Sequence, residues 1–376
     1  MLKSISLQNF RNYERAEFKF SGGTTVIIGP NTSGKTNLIE AIFLLASGKS
    51  FRTEKDIQMI SFREDLARVK GAVQTPSEDS VRRSALPGGK AGDVDLEVVI
   101  TNGSLGGKSS QFKKFLVNGV AKRRVDFVEN FPAVLFSPED LEIIVDSPSL
   151  RRKFLDNVLE QVDREYRLAV VSYAKGLRQR NALLENTRET GIRNERQFEY
   201  WDNLIIEFGE KITQKREEFI EFINNQTKNI FDFAAFYDKS VISKQRLLQH
   251  KEAEIASGVT LVGPHRDDFS VSMFNNTRKT THDIKFYGSR GQQRLTILQL
   301  KLLELLFIEK KLGQRPVLLL DDIFSELDEG HIRLILEMIN LQQTIITTTH
   351  NEFIPRDMLK KMQVLYFSKE EKKQDK

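Results

Sequence analysis

Gly29-Pro30-Asn31-Thr32-Ser33-Gly34-Lys35-Thr36 is the stretch from which the fold is read. It matches G-x-x-x-x-G-K-[ST], the loop that wraps a nucleotide phosphate. Working outward, the apolar run Thr24-Thr25-Val26-Ile27-Ile28 precedes it, and Leu38, Ile39, Ile42 and Phe43 follow at helical spacing. The loop therefore lies between a buried strand and a helix, the setting that separates a phosphate loop from a chance match. Gly29 and Gly34 let the backbone close on an anion with its N–H groups turned inward, and the helix adds its positive N-terminal end. Lys35 is expected to reach the β- and γ-phosphates and Thr36 to ligate magnesium. Pro30, Asn31, Thr32, Ser33 and the helical Asn37 complete the nucleotide-binding stretch.

The chain has 376 residues, room for two or three domains. Hydrophobic residues make up 39% and charged residues 29%, a globular composition without any run near the roughly 18 apolar residues of a membrane span. Met1-Leu2-Lys3-Ser4-Ile5 reads as a strand rather than a signal peptide. The sequence has no cysteine, which excludes disulfides, cysteine nucleophiles and thiolate zinc sites and fits a reducing cytosol; a cytoplasmic location is expected. A net charge of +5 permits nucleic-acid binding without establishing it.

Ile5, Leu7, Phe18 and Phe20 alternate with polar residues, giving two strands between Leu2 and Phe20. Residues 75–92, rich in Ser, Pro and Gly, read as a loose hairpin tip. Asp95 to Ile100 is strand-like, and Phe112 to Val125 reads as a hairpin turning at Asn118-Gly119. Ala133 to Phe136 is a further strand. The text then turns helical from Ser149, a candidate cap, to about Phe236. Its apolar sets are Phe154, Leu155, Val158, Leu159 and Val162, then Trp201, Leu204, Ile205 and Phe208, continuing to Phe219 and Phe222. Neither set is a sustained heptad, so packed, short helical segments are expected and not a long coiled coil. Arg151, Arg152, Lys153, Arg178 and Arg180 read either as a solvated face or as DNA contacts. Trp201 reads as a packing anchor in preference to a base platform. Strand character returns at Val259 to Val262. The following Gly263-Pro264-His265-Arg266-Asp267-Asp268 has no metal-ligand spacing and reads as a turn with internal ion pairs. A helix is expected from about Gly291 to Lys311. The charged residues 369–376 read as a disordered tail.

Val317-Leu318-Leu319-Leu320-Asp321-Asp322 is an apolar strand ending in acid, the pattern of a Walker B segment. Asp321 is expected to help hold magnesium and Asp322 to orient or deprotonate an attacking water. Tyr287-Gly288-Ser289-Arg290-Gly291-Gln292-Gln293-Arg294 stands directly before the predicted helix. Ser289 fits a plain N-cap; the same glycine-rich cap also fits presentation of N–H groups to a phosphate, including one held by another subunit.

Ser289-Arg290-Gly291-Gln292 resembles the signature motif of ABC-type ATPases. Ser325-Glu326-Leu327-Asp328 resembles their D-loop, and Thr347-Thr348-Thr349-His350 their switch segment. More closely, the chain resembles the RecF family, bacterial recombination mediators related to SMC-type heads. That resemblance rests on Leu7-Gln8-Asn9-Phe10-Arg11-Asn12-Tyr13, Phe136-Ser137-Pro138-Glu139-Asp140-Leu141, Ser147-Pro148-Ser149-Leu150-Arg151-Arg152, residues 263–268 and residues 289–294. Three departures stand out. Thr32 replaces a frequent Gly, Asp322 replaces a frequent Glu, and residues 136–141 lack the Gln of the ABC Q-loop.

The resemblance implies an α/β ABC-type ATPase head, a P-loop NTPase with a mainly helical second lobe and no long coiled coil. A parallel core with an antiparallel flanking sheet is expected, both sheets packing on the P-loop helix. Lobe I would comprise residues 1–145 and 312–376, and lobe II residues 146–311. It further implies a homodimer that sandwiches two ATP molecules with Mg2+. Lys35 and Thr36 of one subunit would face Ser289, Gly291 and Gln292 of the other, and Asp328 would cross the same interface. Arg11 and Asn12 would approach the nucleotide, and His350 would sense the γ-phosphate. The implied function is slow, switch-like ATP hydrolysis in DNA repair, replication and recombination, including the SOS response. The implied partners are single- and double-stranded or gapped DNA bound without sequence specificity, RecR and RecO, with RecA downstream, and no membrane. A transporter ATPase subunit and a structural SMC-like head are the competing readings. The helical insertion and the RecF-like opening argue against the first, and the lack of a long coiled coil against the second.

Overall fold

The computed structural model describes residues 1–74, 92–105, 108–275, 280–326, 330, 332, 335, 341–350, 352 and 354–368. The expected hairpin tip, the charged tail and Asp328 of the D-loop lie outside the described residues.

The chain divides into two compact units, Met1–Pro138 with Ile308–Lys376, and Glu139–Phe307. The first holds two sheets. One is antiparallel, built from β1 (Leu2–Phe10), β2 (Tyr13–Lys19), β4 (Leu66–Gln74), β5 (Asp93–Thr101), β8 (Lys113–Val117) and β9 (Val120–Lys122), in the order β2-β1-β4-β5-β8-β9. The strand pair Ser104–Leu105 and Lys108–Ser109 supplies β6 and β7. Period-two burial along β4 and β5 turns Ala67, Val69, Val94, Leu96 and Val98 inward. Asn118 and Gly119 adopt φ of 51° and 77°, the primed turn expected of Asn-Gly.

The other sheet is parallel throughout. It contains β3 (Thr24–Ile28), β10 (Ala133–Phe136), β14 (Val317–Asp321), β15 (Thr344–Thr348) and β16 (Gln363–Tyr366), ordered β10-β14-β15-β3-β16. All residues of β3, β14 and β15 are buried, in keeping with their largely apolar and threonine composition and lack of charge before Asp321. Helix α1 (Lys35–Ser47) packs on both sheets, and eleven of its residues are buried. Its core neighbours include Ile5, Val98, Ala133 and Leu319.

The second unit is mainly helical. Helix α2 (Pro148–Val162) starts one residue before the expected cap: Ser147 is the N-cap, and its hydroxyl meets that of Ser149 at 2.6 Å. Pro148 at the first helical position, with φ preset and no N–H to satisfy, fixes that start. Helices α3 (Arg164–Thr190) and α4 (Glu195–Asn225) have 27 and 31 residues, longer than the short segments expected. They form one antiparallel hairpin. Gly176 admits the close approach, because a Cβ there would meet Leu204 at 2.5 Å and Ile205 at 2.9 Å. The unit's sheet is β11 (Ala234–Asp238), β12 (Asp268–Asn275) and β13 (Thr280–Asp283), antiparallel with β12 central. Helix α5 (Arg290–Leu312) closes the unit and runs on into the first.

The strand expected at Val259 to Val262 is absent; these residues are irregular. Side chains take the bonds a neighbouring strand would have supplied. Thr260 N–H donates to Asn181 Oδ1 at 2.9 Å, its carbonyl accepts from His265 and Arg266, and Leu261 N–H donates to Glu254. Nor are Arg151 and Arg180 on a solvated face. Arg151 pairs with Asp268 through two nitrogens at 2.6 and 2.9 Å, and Arg180 pairs with Asp202 and the fully buried Glu254. Arg152 donates to the Asp267 carbonyl at 2.8 Å. Trp201 is half-buried, edge-on to Tyr200.

Candidate nucleotide site

The loop from Gly29 to Gly34 leaves the C-terminal end of β3 and enters α1. Gly34 has φ 103°, and a Cβ there would lie 2.8 Å from both Asn12 Nδ2 and the Tyr13 hydroxyl. Glycine is required for both reasons. Thr32 occupies φ 70°, a left-handed conformation that glycine adopts without strain and a β-branched residue does not.

Two features of the loop fit a bound phosphate. The Ser33 hydroxyl is buried with no hydrogen-bond partner. It also stands inside the loop, 3.0 Å from where a Gly29 Cβ would be. Lys35 is nearly buried, its ammonium donating to the carbonyls of Gly29 at 2.7 Å and Pro30 at 3.0 Å. Burial lowers its pKa, and the nearby Asp322 and Asp321 carboxylates oppose that shift. The cation is therefore held against the carbonyls of the loop itself.

The loop meets the acidic strand end directly. Thr36 Oγ1 donates to Asp321 Oδ1 at 3.1 Å, and Thr347 Oγ1 donates to the same oxygen at 2.6 Å. A hydroxyl and a carboxylate side by side next to a phosphate loop form a hard-oxygen pair of the kind Mg2+ takes alongside phosphate and water. Asp322 turns away from the strand at φ 52°, with its N–H on the Thr347 carbonyl and hydroxyl at 3.2 and 3.1 Å. Asp322 as a whole is half-buried. His350 follows β15, exposed, its N–H donating to Thr348 Oγ1 at 3.3 Å. With Gly29, Pro30, Asn31, Tyr366 and Phe367 it lines an open cleft of about 580 Å³.

Arg11 and Asn12 stand beside the loop in different roles. Arg11 donates two hydrogen bonds to the Glu40 carboxylate of α1, at 2.8 and 2.6 Å, and a third to the Gln58 carbonyl at 2.7 Å. Its guanidinium is committed to that buried carboxylate. Asn12 Oδ1 accepts from Asn37 Nδ2 at 2.7 Å, and Asn37 Oδ1 accepts from Arg52 at 2.8 Å.

Glu40 was not among the predicted site residues, although one acid inside the run Leu38-Ile39-Glu40-Ala41-Ile42 is the signal for a paired buried charge. Ser50 also donates to it at 2.5 Å. Thr347, placed by sequence only within the switch segment, also holds Asp321.

Ser289, Gly291 and Gln292 lie in the second unit. Ser289 Oγ accepts from Gln292 N–H at 3.2 Å, and Gln292 Oε1 accepts from Ser289 N–H at 2.9 Å, a capping box that starts α5. Gly291 meets nothing tighter than Ser289 Oγ at 3.9 Å, so local packing does not require glycine there. His265 is also structural. Its Nε2 faces the Thr260 carbonyl at 3.1 Å and so carries the proton, leaving Nδ1 to accept from the Tyr173 hydroxyl at 2.7 Å. Burial holds its pKa below the usual value. Asp267 is fully buried, accepting from Ser240 N–H, Arg216 and Tyr237. The predicted turn forms, but its ion pairs are not internal: Asp267 pairs with Arg216 and Asp268 with Arg151, both from helices outside the turn. Among the described residues no cluster of three or more His, Asp or Glu is gathered for a metal, and no helix is long and apolar enough to cross a membrane.

The family model described as RecF/RecN/SMC N terminal domain matches residues 1–374. The DNA replication and repair protein RecF of Exiguobacterium sp. is 35% identical, with 97% of this chain and 96% of that protein covered. The protein of the same name from Shouchella clausii is 32% identical, covering 93% and 92%. A solved structure described as the recombination mediator protein RecF-ATP in the RecFOR pathway superposes with a TM-score of 0.81 at 31% identity, covering 94% of this chain and 93% of that one.

Proposed function

The chain belongs to the RecF family, and from that premise we propose that it is an ATP-dependent DNA-binding protein of recombinational repair and replication restart, a slow ATPase that works as a switch. The observation that carries the nucleotide reading is the meeting of Thr36 and Asp321 at 3.1 Å beneath a phosphate loop whose buried Ser33 hydroxyl lacks a partner. A relative solved with ATP supports the same ligand.

In this reading Thr36 and Asp321 would hold Mg2+, which would supply positive charge to the phosphates. Lys35 exchanges the Gly29 and Pro30 carbonyls for phosphate oxygens. Residues 29–34 and Asn37 supply the loop around them. Asp322 orients or deprotonates the attacking water, and His350 contacts the γ-phosphate. Arg11 acts through Glu40, holding the β1–β2 turn and Asn12 against the loop. A second copy of the chain provides Ser289, Gly291 and Gln292 as the cap for the γ-phosphate, and Asp328 crosses that interface. The unexplained Gly291 supports this: a glycine in a first helical turn weakens the helix and gains nothing from its own surroundings. Hydrolysis removes the shared ligand and loosens the dimer. An isolated subunit, without that cap, turns over slowly.

DNA contact is mainly to phosphates and without sequence preference, so affinity falls steeply with salt. Family relationship supports action at single-strand gaps with RecR and RecO, RecA downstream, in the cytoplasm. The test is sedimentation velocity with and without MgATP, beside Ser289→Arg. Conversion of monomer to dimer by MgATP in the wild type, and its loss in the variant, is expected. An equally dimeric variant, or a wild type monomeric at saturating MgATP, would overturn the shared-nucleotide arrangement.

A further inference from the structure

The two glycines that frame the phosphate loop each lie against an aromatic residue, Gly34 against the Tyr13 hydroxyl and Gly29 against the Cβ and backbone of Phe367, and a third ring joins the two. At the Gly34 end, the Tyr13 hydroxyl donates to the Gly34 carbonyl at 3.0 Å and lies 2.8 Å from where a Gly34 Cβ would be. At the Gly29 end, Phe367 closes on the backbone. A Cβ on Gly29 would lie 2.8 Å from both the Phe367 Cβ and its carbonyl oxygen, and Phe367 N–H donates to the Ile28 carbonyl at 2.8 Å. Phe18 lies between them. Its ring stacks on Phe367 with centroids 5.4 Å apart and planes 27° apart, and meets Tyr13 edge-on at 5.8 Å.

These three residues come from β2 and from the residue just after β16. Strand β16 is fastened at its other end by Gln363. Its Oε1 accepts from Ser21 N–H at 2.7 Å and Thr25 Oγ1 at 3.0 Å, while its Nε2 donates to the Lys19 carbonyl at 2.8 Å. The last strand is therefore pinned to the entry of β3 at one end and to its exit into the loop at the other.

We propose that Tyr13, Phe18 and Phe367 are positioning residues for the phosphate loop. They form a clamp that sets the separation of Gly29 and Gly34 and makes the C-terminal strand part of the nucleotide site. None of the three needs to touch the nucleotide. They act on the backbone N–H groups that do, and a loop with free glycines at both ends would otherwise give up much conformational freedom on binding. The inference rests on the nucleotide reading above for its binding consequence but not for the clamp itself.

The test uses the full chain and two readouts. Amide hydrogen exchange across residues 29–34 without nucleotide reports the clamp. Equilibrium binding of MgATP reports its consequence. Phe367→Ala is expected to speed exchange in the loop and weaken MgATP binding by about tenfold or more, while Phe367→Tyr restores both. Tyr13→Phe keeps the stack, removes one hydrogen bond, and is expected to weaken binding about two- to tenfold. Val94→Ala, a core cavity in the antiparallel sheet, controls for general loss of stability. It is expected to lower the melting temperature and leave loop exchange and affinity unchanged. If Phe367→Ala behaves like Val94→Ala in both readouts, the clamp is wrong. If loop exchange responds as expected but the wild type does not bind MgATP, the clamp stands and the nucleotide reading fails.

Discussion

Thr32 sits at φ 70° in the loop that the site depends on. A left-handed conformation costs an L-residue roughly 1–2 kcal/mol, and glycine avoids that cost while giving back about 0.5–1 kcal/mol through its freer unfolded chain. Thr32→Gly is therefore expected to stabilise the first unit by about 0.5–1 kcal/mol, seen as a rise of roughly 1–4 °C in its melting temperature. Thr32→Val keeps both the strain and the branching and is expected to gain nothing. Equal melting temperatures for Thr32→Gly and Thr32→Val would show that the surrounding fold does not impose the angle. The departure at Thr32 was visible in the motif, but its backbone angle was not, because a pattern of residue types carries no dihedral. Arg11 illustrates the same limit. Its place beside the loop was legible, yet its partner was not, since Glu40 is 29 residues away and only packing of α1 brings it there.

Helix α5 was legible nearly to its ends, predicted from about Gly291 to Lys311 and found at Arg290–Leu312. A long apolar-periodic run with a Ser-x-x-Gln start is a local signal, and the capping box it forms is local too. Of the parallel strands, β3 and β14 were equally readable, one by its place before the loop and the other by its apolar run into Asp321, whereas β16 was not foreseen. The false strand at Val259 to Val262 failed because its hydrogen-bond partners are the distant Asn181 and the fully buried Glu254. Helices α3 and α4 were read as shorter pieces because their mixed, non-heptad pattern conceals a continuous hairpin. Arg180, read as surface, is instead its buried ion-pair centre. The capping box also allows two roles of Ser289 to be separated. Replacing an N-cap serine by Ala costs about 1 kcal/mol, by Gly only a few tenths. If Ser289 serves only the helix, Ser289→Gly is nearly silent. If its hydroxyl also meets a nucleotide on a second copy, Ser289→Gly keeps a near-wild-type melting temperature and loses MgATP-dependent dimerisation. The second outcome is expected, and analytical ultracentrifugation beside a thermal melt checks it.

At the scale of the whole molecule, the phosphate loop and the signature loop lie in different compact units of one chain. A nucleotide that needs both loops, one from each of two copies, couples binding to association, and the coupling is reciprocal. In the proposed arrangement ATP strengthens the dimer, so the dimer must strengthen ATP binding by the same factor. Couplings of this kind typically span about 5- to 150-fold. The apparent affinity for MgATP is therefore expected to tighten within that range as protein concentration passes from far below to far above the dimer dissociation constant. Titrations at the two extremes, with nucleotide in excess over sites, measure it. In Ser289→Arg the dependence should vanish, leaving the weaker affinity at both concentrations, because the loop of the first unit still binds phosphate alone. A wild-type affinity that stays constant across the range would mean that one chain holds the nucleotide by itself. Gly291 would then need another explanation, since nothing in its own surroundings calls for a glycine.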